Sequence, residues 1–287
     1  MPNVPWPDGI TLPISLVVNI EEGSERTHAD GDPDQETMTE WATYPLPPDI
    51  RNLAMESMYE YGSRVGVWRI FDAIAERGLT ATMFACAVAL ERAPEVVAAI
   101  KEHGFGVVCH GYRWEEVFRL SPEEERQHIR DAVESMTRTL GAPPRGWYCR
   151  YGPSANTRRL LVEEGFEYDC DAYNDDLPYF VPVDGVRHLV VPYSPDNNDL
   201  RFWQSPGMVH ANDFFLYLKD SFDVLYREGS DRTRMMSIGL HSRVVGRPGR
   251  IAGLTRFLDY ARQFGGVEFV TRDWIVDHWR TAGAEHA

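Results

Sequence analysis

The chain has 287 residues, 43% of them hydrophobic, and a formal net charge of −15. That length suits one catalytic domain over residues 1–287, irregular through about the first 50, and a barrel of this size is routine as a single unit. The excess of acid excludes nucleic acid and anionic membrane as partners, and no apolar run approaches the ~18 residues of a membrane span.

Residues 1–13 lack a basic region followed by an apolar stretch, so no secretory leader is expected. The four cysteines, Cys86, Cys109, Cys149 and Cys170, show no C-x-x-C spacing. Each lies in or beside a strand-like run, which suits buried reduced thiols and a cytoplasmic location. Cys149, near a strand end, reads as a core thiol rather than a nucleophile.

In chain order, the first element is the apolar run Ile14-Ser15-Leu16-Val17-Val18-Asn19-Ile20, which ends in Glu21-Glu22-Gly23. Residues 23–49 are polar and Pro-rich and read as a long loop. Residues 64–77 carry an apolar stripe of Val65, Val67, Trp68, Ile70, Phe71 and Ile74 and predict a helix stopped by Gly78. Tyr59, Glu60 and Tyr61 are placed on the loop before it. Residues 80–86 predict a strand, and Pro94 opens a helix that Gly104 stops. Residues 105–110 predict a strand that ends on His110. Ser121-Pro122-Glu123-Glu124 starts a helix, with Ser as N-cap, Pro at N1 and Glu at N3, running to about Leu140.

The remaining strands are expected over 146–150, 167–172, 186–193, 236–241 and 267–271. The helices between and after them are expected over 156–164, 213–227, 251–264 and 272–280. Strand–helix alternation means parallel strands joined by crossover helices, so the expected fold is α/β, a (β/α) barrel. Catalytic residues of such folds collect at the carboxyl ends of strands. Three predicted strand ends carry Glu21-Glu22, His110 and His241. His110-Gly111-Tyr112-Arg113-Trp114 looks like a metal-binding turn with one ligand missing, since Trp114 cannot ligate and a hydrolytic zinc site wants about three protein ligands.

These stretches resemble the polysaccharide-deacetylase (NodB-homology) superfamily. Its Thr-Phe-Asp-Asp-Gly motif is matched by Asn19-Ile20-Glu21-Glu22-Gly23, and its His-x-x-x-His by His110 to Trp114, with the second His lost. Its Arg-x-Pro-x-Gly is echoed by Arg150-Tyr151-Gly152-Pro153-Ser154, and its late His strand by Leu240-His241. The closer likeness is to the metal-independent allantoinase and cyclic-imide-hydrolase branch. It rests on Glu21-Glu22-Gly23, Met58-Tyr59-Glu60-Tyr61-Gly62-Ser63-Arg64, His110 to Trp114, Asp175-Asp176-Leu177-Pro178-Tyr179, and His241 through Gly246-Arg247-Pro248-Gly249-Arg250. Where that branch has Thr-Gly-Arg after Trp-Tyr, this chain has Trp147-Tyr148-Cys149-Arg150-Tyr151, which leaves room for a cyclic imide, another small amide or a sugar N-acetyl group.

The resemblance implies a distorted (β/α) barrel of the deacetylase type, with no cofactor and no metal. By position it makes Glu21 the general base and His241 the general acid of amide hydrolysis. A Glu beside a second Glu in a cleft is expected to have a raised pKa. The charge of Glu22 is expected to keep His110 protonated, so that it polarises a carbonyl, and Arg150 reads as an oxyanion or ureide-carbonyl donor. Trp114 offers a wall for a flat ring. Asp175 and Asp176 are candidates to accept substrate N–H groups or to orient Arg150; Tyr151 and Arg250 complete the binding set, Arg250 near a helix N-terminus.

The expected activity is hydrolysis of a carbon–nitrogen bond, other than a peptide bond, in a cyclic amide, an allantoin-like ureide or a cyclic imide. The alternatives are a metal-dependent deacetylase of N-acetyl sugars and a non-catalytic sugar- or ureide-binding protein on a decayed barrel. The resemblance also implies a homo-oligomer, a tetramer, with Trp41, Tyr44, Phe202 and Trp203 as candidate interface anchors.

Overall fold

The computed structural model describes residues 4–39 and 46–283. Its strands are β1 (Leu12–Ile20), β2 (Thr82–Ala85), β3 (Gly106–Cys109), β4 (Gly146–Trp147), β5 (Tyr168–Asp169), β6 (Tyr179–Val183), β7 (Val186–Val190), β8 (Met236–His241) and β9 (Val267–Phe269). Its α-helices are α1 (Leu53–Tyr61), α2 (Val67–Ala75), α3 (Ala87–Arg92), α4 (Pro94–His103), α5 (Pro122–Leu140), α6 (Thr157–Glu163), α7 (Ala211–Gly229), α8 (Pro248–Ala261) and α9 (Arg272–Gly283).

The sheet runs β6-β7-β5-β4-β3-β2-β1-β8, with β9 paired to the start of β1. Every pairing is parallel except the β6–β7 hairpin. β1 is buried along its whole length, with Leu12, Ile14, Leu16, Val18 and Ile20 in one core cluster and Val17 in a second, as a barrel strand with helices on one face and interior side chains on the other must be. The curled sheet with its helices is the distorted (β/α) barrel of the deacetylase type. Between β7 and β8 the wall is finished by irregular chain: Asn198 bridges Gly239, whose N–H donates to the Asn197 carbonyl at 2.8 Å. A Cβ on Gly239 would meet the Tyr193 hydroxyl at 2.2 Å. Glycine there lets the segment after β7 lie against β8 and deliver Asp199 to the barrel mouth.

The predicted helix over 64–77 starts earlier and is not interrupted by glycine. α1 passes through a π turn at Gly62–Gly66 into α2. Tyr59, Glu60 and Tyr61 therefore lie in a helix, not on a loop. Propensity disfavours glycine inside a helix, but packing requires Gly62 and Gly66 here. A Cβ on Gly62 would fall 2.2 Å from Glu22 Oε1, and one on Gly66 2.0 Å from the Ser242 carbonyl. π turns inside helices gather at functional sites. The Ser121–Glu124 capping box of α5 is present, with Pro122 at N1.

β6 was not expected from the sequence. It forms a hairpin with β7 through Asp184-Gly185, both at positive φ, the signature of a tight primed turn. Pro182 is tolerated because β6 is the sheet edge. The runs 146–150 and 167–172 hold only two-residue strands. Past them the ladder stops and the backbone turns to the site, where Cys149 N–H bonds the Asp171 carboxylate at 2.9 Å.

Candidate active site

β1, β3, β4 and β8 run in parallel, so their carboxyl ends open on one face. There Glu21, His110, Trp114, Arg150, Tyr151, His241 and Arg243 line a cavity of about 350 Å³, with Asn19, Tyr148, Cys149 and Tyr193 in its walls. Glu22 lies behind Glu21, packed on the bare Cα of Gly62, and is not in the wall.

Glu21 is the hub. Its Oε1 is 3.2 Å from His110 Nε2 and 3.7 Å from His241 Nε2, and its Oε2 accepts from Arg243 Nη1 at 2.6 Å. Burial pushes its pKa up, but Arg243, then His241 and His110, outweigh that and hold the carboxyl well below the usual carboxylate range. The expected raised pKa belongs instead to Glu22, where burial comes first and Glu21 adds to it against the pull of Arg243. The like-charge argument was right about the pair and wrong about the member, because three cationic or protonatable groups face Glu21.

His110 Nδ1 donates to the Tyr148 carbonyl at 3.0 Å, which turns Nε2 toward Glu21. The carboxylate that faces His110 is thus Glu21, not Glu22. His241 is gripped by Asp199, through its backbone N–H at 2.7 Å and its Nδ1 at 2.7 Å. Burial lowers the His241 pKa, but Asp199 and Glu21 outweigh it, so the net shift is upward. Asp199 is fully buried and also accepts from Val245 N–H.

Arg243 was also missed from sequence. Its side chain is 1% exposed, with the guanidinium 4.4 Å from the Tyr59 ring centre, 5.1 Å from Trp114 and 5.4 Å from Trp203. Its backbone N–H donates to Glu22 Oε1 at 3.2 Å, and Nη1 lies 3.5 Å from the same oxygen.

Arg150 is at the cavity with much of its fork engaged. Nη1 donates to the Trp114 carbonyl at 2.8 Å and Nη2 to Glu36 and the Tyr151 hydroxyl; Nε has no partner among the described residues. Glu36, not Asp176, orients it. The Arg150 guanidinium also lies 3.8 Å from the Trp114 ring centre, so the guanidiniums of both Arg150 and Arg243 sit against this ring.

Asp175 and Asp176 sit in a neighbouring polar groove, outside the central cavity, sharing with it Tyr173, Tyr193 and Pro195. Asp175 Oδ1 accepts from Leu177 N–H at 3.1 Å, which makes it a turn residue. Arg250 lies in the first turn of α8, over the Phe202 ring and in a separate depression with Met58 and Arg247, so it too is away from the cavity. The Cys149 thiol is pushed well above its ordinary pKa by burial and receives Trp147 Nε1, so it is no nucleophile.

The arrangement joins a buried, ionised carboxylate to two imidazoles and a guanidinium at the mouth of a deacetylase-type barrel. A family model for polysaccharide deacetylases matches residues 54–168. A Schizosaccharomyces pombe protein named as a polysaccharide deacetylase is 37% identical over 295 residues, covering 96% of this chain and 92% of its own. The chain belongs to the polysaccharide deacetylase family. Among solved structures, PuuE allantoinase matches with a TM-score of 0.93 at 44% identity, covering 98% of this chain and 94% of its own. A probable polysaccharide deacetylase from Pseudomonas aeruginosa PAO1 matches with a TM-score of 0.93 at 43% identity, covering 98% and 95%. Within the family the chain falls in the allantoinase-like branch, a group of carbon–nitrogen bond hydrolases.

The divalent metal that deacetylases of this family bring to mind does not fit these residues. Trp114 stands where a second His would complete the ligand set. Glu22 is turned to Arg243 and His110 to Glu21, so the remaining candidates do not meet at a point. Among the described residues no group of three or more His, Cys, Asp and Glu could hold a metal ion. A guanidinium already sits against both carboxylates.

Proposed function

We propose that this chain is a metal-independent hydrolase that opens a cyclic amide, with an allantoin-like ureide or a cyclic imide as substrate. One observation carries the reading: Arg243, His110 and His241 all converge on the Glu21 carboxylate, a charged hydrolytic centre assembled from side chains alone. The high identity to PuuE allantoinase supports the substrate class.

In this mechanism a ring carbonyl enters the cavity with the ring against Trp114. Its oxygen takes hydrogen bonds from His110 and from the free Nε of Arg150, which stabilise the developing oxyanion. Water adds to the carbonyl carbon and gives a proton to Glu21. A carboxylate with a depressed pKa is a weak resting base. As the oxyanion forms it draws on His110, one of the groups that hold Glu21 ionised, and the carboxylate gains basicity when the proton must be taken. The carbon–nitrogen bond then breaks, and His241, held in place by Asp199, protonates the departing nitrogen. His241 Nε2 lies 3.7 Å from Glu21 Oε1, and the proton returns from Glu21 to His241 through a bridging water, which closes the cycle. Four free, buried cysteines support a cytoplasmic location for the enzyme; no described helix is long and apolar enough to cross a membrane.

The test is turnover of allantoin, hydantoin, succinimide and an N-acetyl sugar, with and without chelator, on protein checked by elemental analysis. Ring opening that survives chelation is expected. Activity confined to the N-acetyl sugar, lost on chelation and restored by zinc, overturns the reading in favour of a metal-dependent deacetylase. No turnover together with tight binding favours a decayed binding protein.

A further inference from the structure

Arg243 is buried, yet a fully buried cation is costly unless paired. Its pairing is one-sided. Nη1 alone serves Glu21 and Glu22, while Nε and Nη2 have no oxygen or nitrogen partner among the described residues. The rest of the guanidinium lies among the rings of Tyr59, Trp114 and Trp203, whose negative faces stabilise a desolvated cation. Trp114 both removes the ligand that a metal would need and forms part of this cage. Gly62 leaves room for Glu22 to stand beside the same guanidinium.

We infer that Arg243 is the resident cation of this active site, a positioning residue that does for Glu21 the electrostatic work a metal ion would otherwise do. The inference rests on the metal-independent reading above and deepens it. Arg243 keeps Glu21 ionised, fixes it between the two imidazoles and balances Glu22 behind it. The aromatic cage keeps the guanidinium dry and in place.

The experiment compares wild type with Arg243→Met, which fills the cage without charge, Arg243→Lys, which keeps the charge, and Arg243→Ala, which leaves a hole. The first readout needs no substrate: NMR titration of carbon-13-labelled Glu side chains, with Glu21 assigned by its loss in Glu21→Gln. In Arg243→Met the Glu21 titration is expected to move up by about one pH unit or more, and in Arg243→Lys much less. The second readout is turnover. Arg243→Ala is expected to lose about 10²-fold in kcat, with added guanidinium restoring part of it.

Glu21 titrating alike in wild type, Met and Lys variants overturns the inference, as does an Arg243→Lys titration that rises as far as that of Arg243→Met. If Arg243→Ala fails to fold, the Met and Lys pair decides. A wild type that turns over no cyclic amide defeats the proposed function, while the Glu21 titration still decides the role of Arg243.

Discussion

Asp199 holds His241 twice, with Oδ2 accepting its backbone N–H and Oδ1 its Nδ1–H, each at 2.7 Å. The double contact fixes both the ring's position and its tautomer, and leaves Nε2 to face Glu21. It also joins the irregular segment after β7 to the end of β8, so the acid is assembled only when the barrel wall closes.

The alkaline limb of the rate profile should therefore report His241. As a general acid it works while protonated, and Asp199 and Glu21 shift its pKa upward against burial. The limb is expected above the ordinary His value. Asp199→Asn removes the first of those charges, so the limb should move to lower pH and kcat should fall by about 10²-fold or more. A pH–kcat profile of wild type and variant checks this; an unmoved limb would remove His241 as the acid.

The acid limb should be missing from the usual carboxylate range. Glu21 is held ionised well below it, so activity should stay level from neutrality down through mild acid rather than trace a symmetric bell. Glu21→Gln keeps the shape but removes the base and leaves Arg243 and the imidazoles uncompensated. The expected loss is about 10²-fold or more in kcat with a small change in KM, and the variant should also melt earlier. Near-full activity in Glu21→Gln would pass the base role to another group.

The strand ends were legible in the sequence because continuous apolar runs stop on Glu21, His110 and His241 and parallel strands share a mouth. The order of motifs gave the family. Asp199 was not legible: it lies 42 residues before His241 in a segment with no periodicity, and only the Asn198–Gly239 bridge brings it in. Arg243 was not legible either: in His241-Ser242-Arg243-Val244-Val245-Gly246 it reads as an arginine in a turn after the strand, and only the structure shows that run to be buried. Asp175 and Asp176 misled because an acidic pair after a strand reads as a site. Here the chain leaves the cavity to build the unforeseen β6–β7 hairpin. Arg250 misled because proximity to His241 in sequence crosses from the strand end into the first turn of α8.

We propose that the enzyme is a homo-oligomer, with a tetramer expected from the resemblance. Trp41 and Tyr44 lie outside the described residues. Phe202 packs on Phe214 and under Arg250, and Trp203 stands by Arg243, so both serve their own chain. A contact between copies would then use exposed apolar residues such as Leu53 and Val209. Light scattering at micromolar concentration should give a multiple of the monomer mass; a monomer refutes it.

Glu25 should make stability fall as pH rises. Its side chain is buried at the start of the loop after β1, with Oε2 accepting Gly23 N–H at 2.6 Å. Burial pushes its pKa up from 4.5 to about 7, with Glu22 adding to the rise and the backbone hydrogen bonds opposing it. The folded state thus binds this proton more tightly than the unfolded chain. Its contribution is fully present below about pH 4.5 and is lost as pH rises through about 7. A shift of that size corresponds to about 3 kcal/mol at most. Glu25→Gln keeps an acceptor for Gly23 and removes the ionisation. Urea unfolding of both proteins at pH 5, 6, 7 and 8 isolates the effect, because Glu22 and Asp171, whose pKa values are also raised, are present in each. The variant's stability relative to wild type should climb from pH 5 to about 7 and level off by pH 8. Parallel curves would mean that Glu25 is charged in the folded enzyme throughout, balanced by Arg243 at longer reach than its position behind Glu22 suggests.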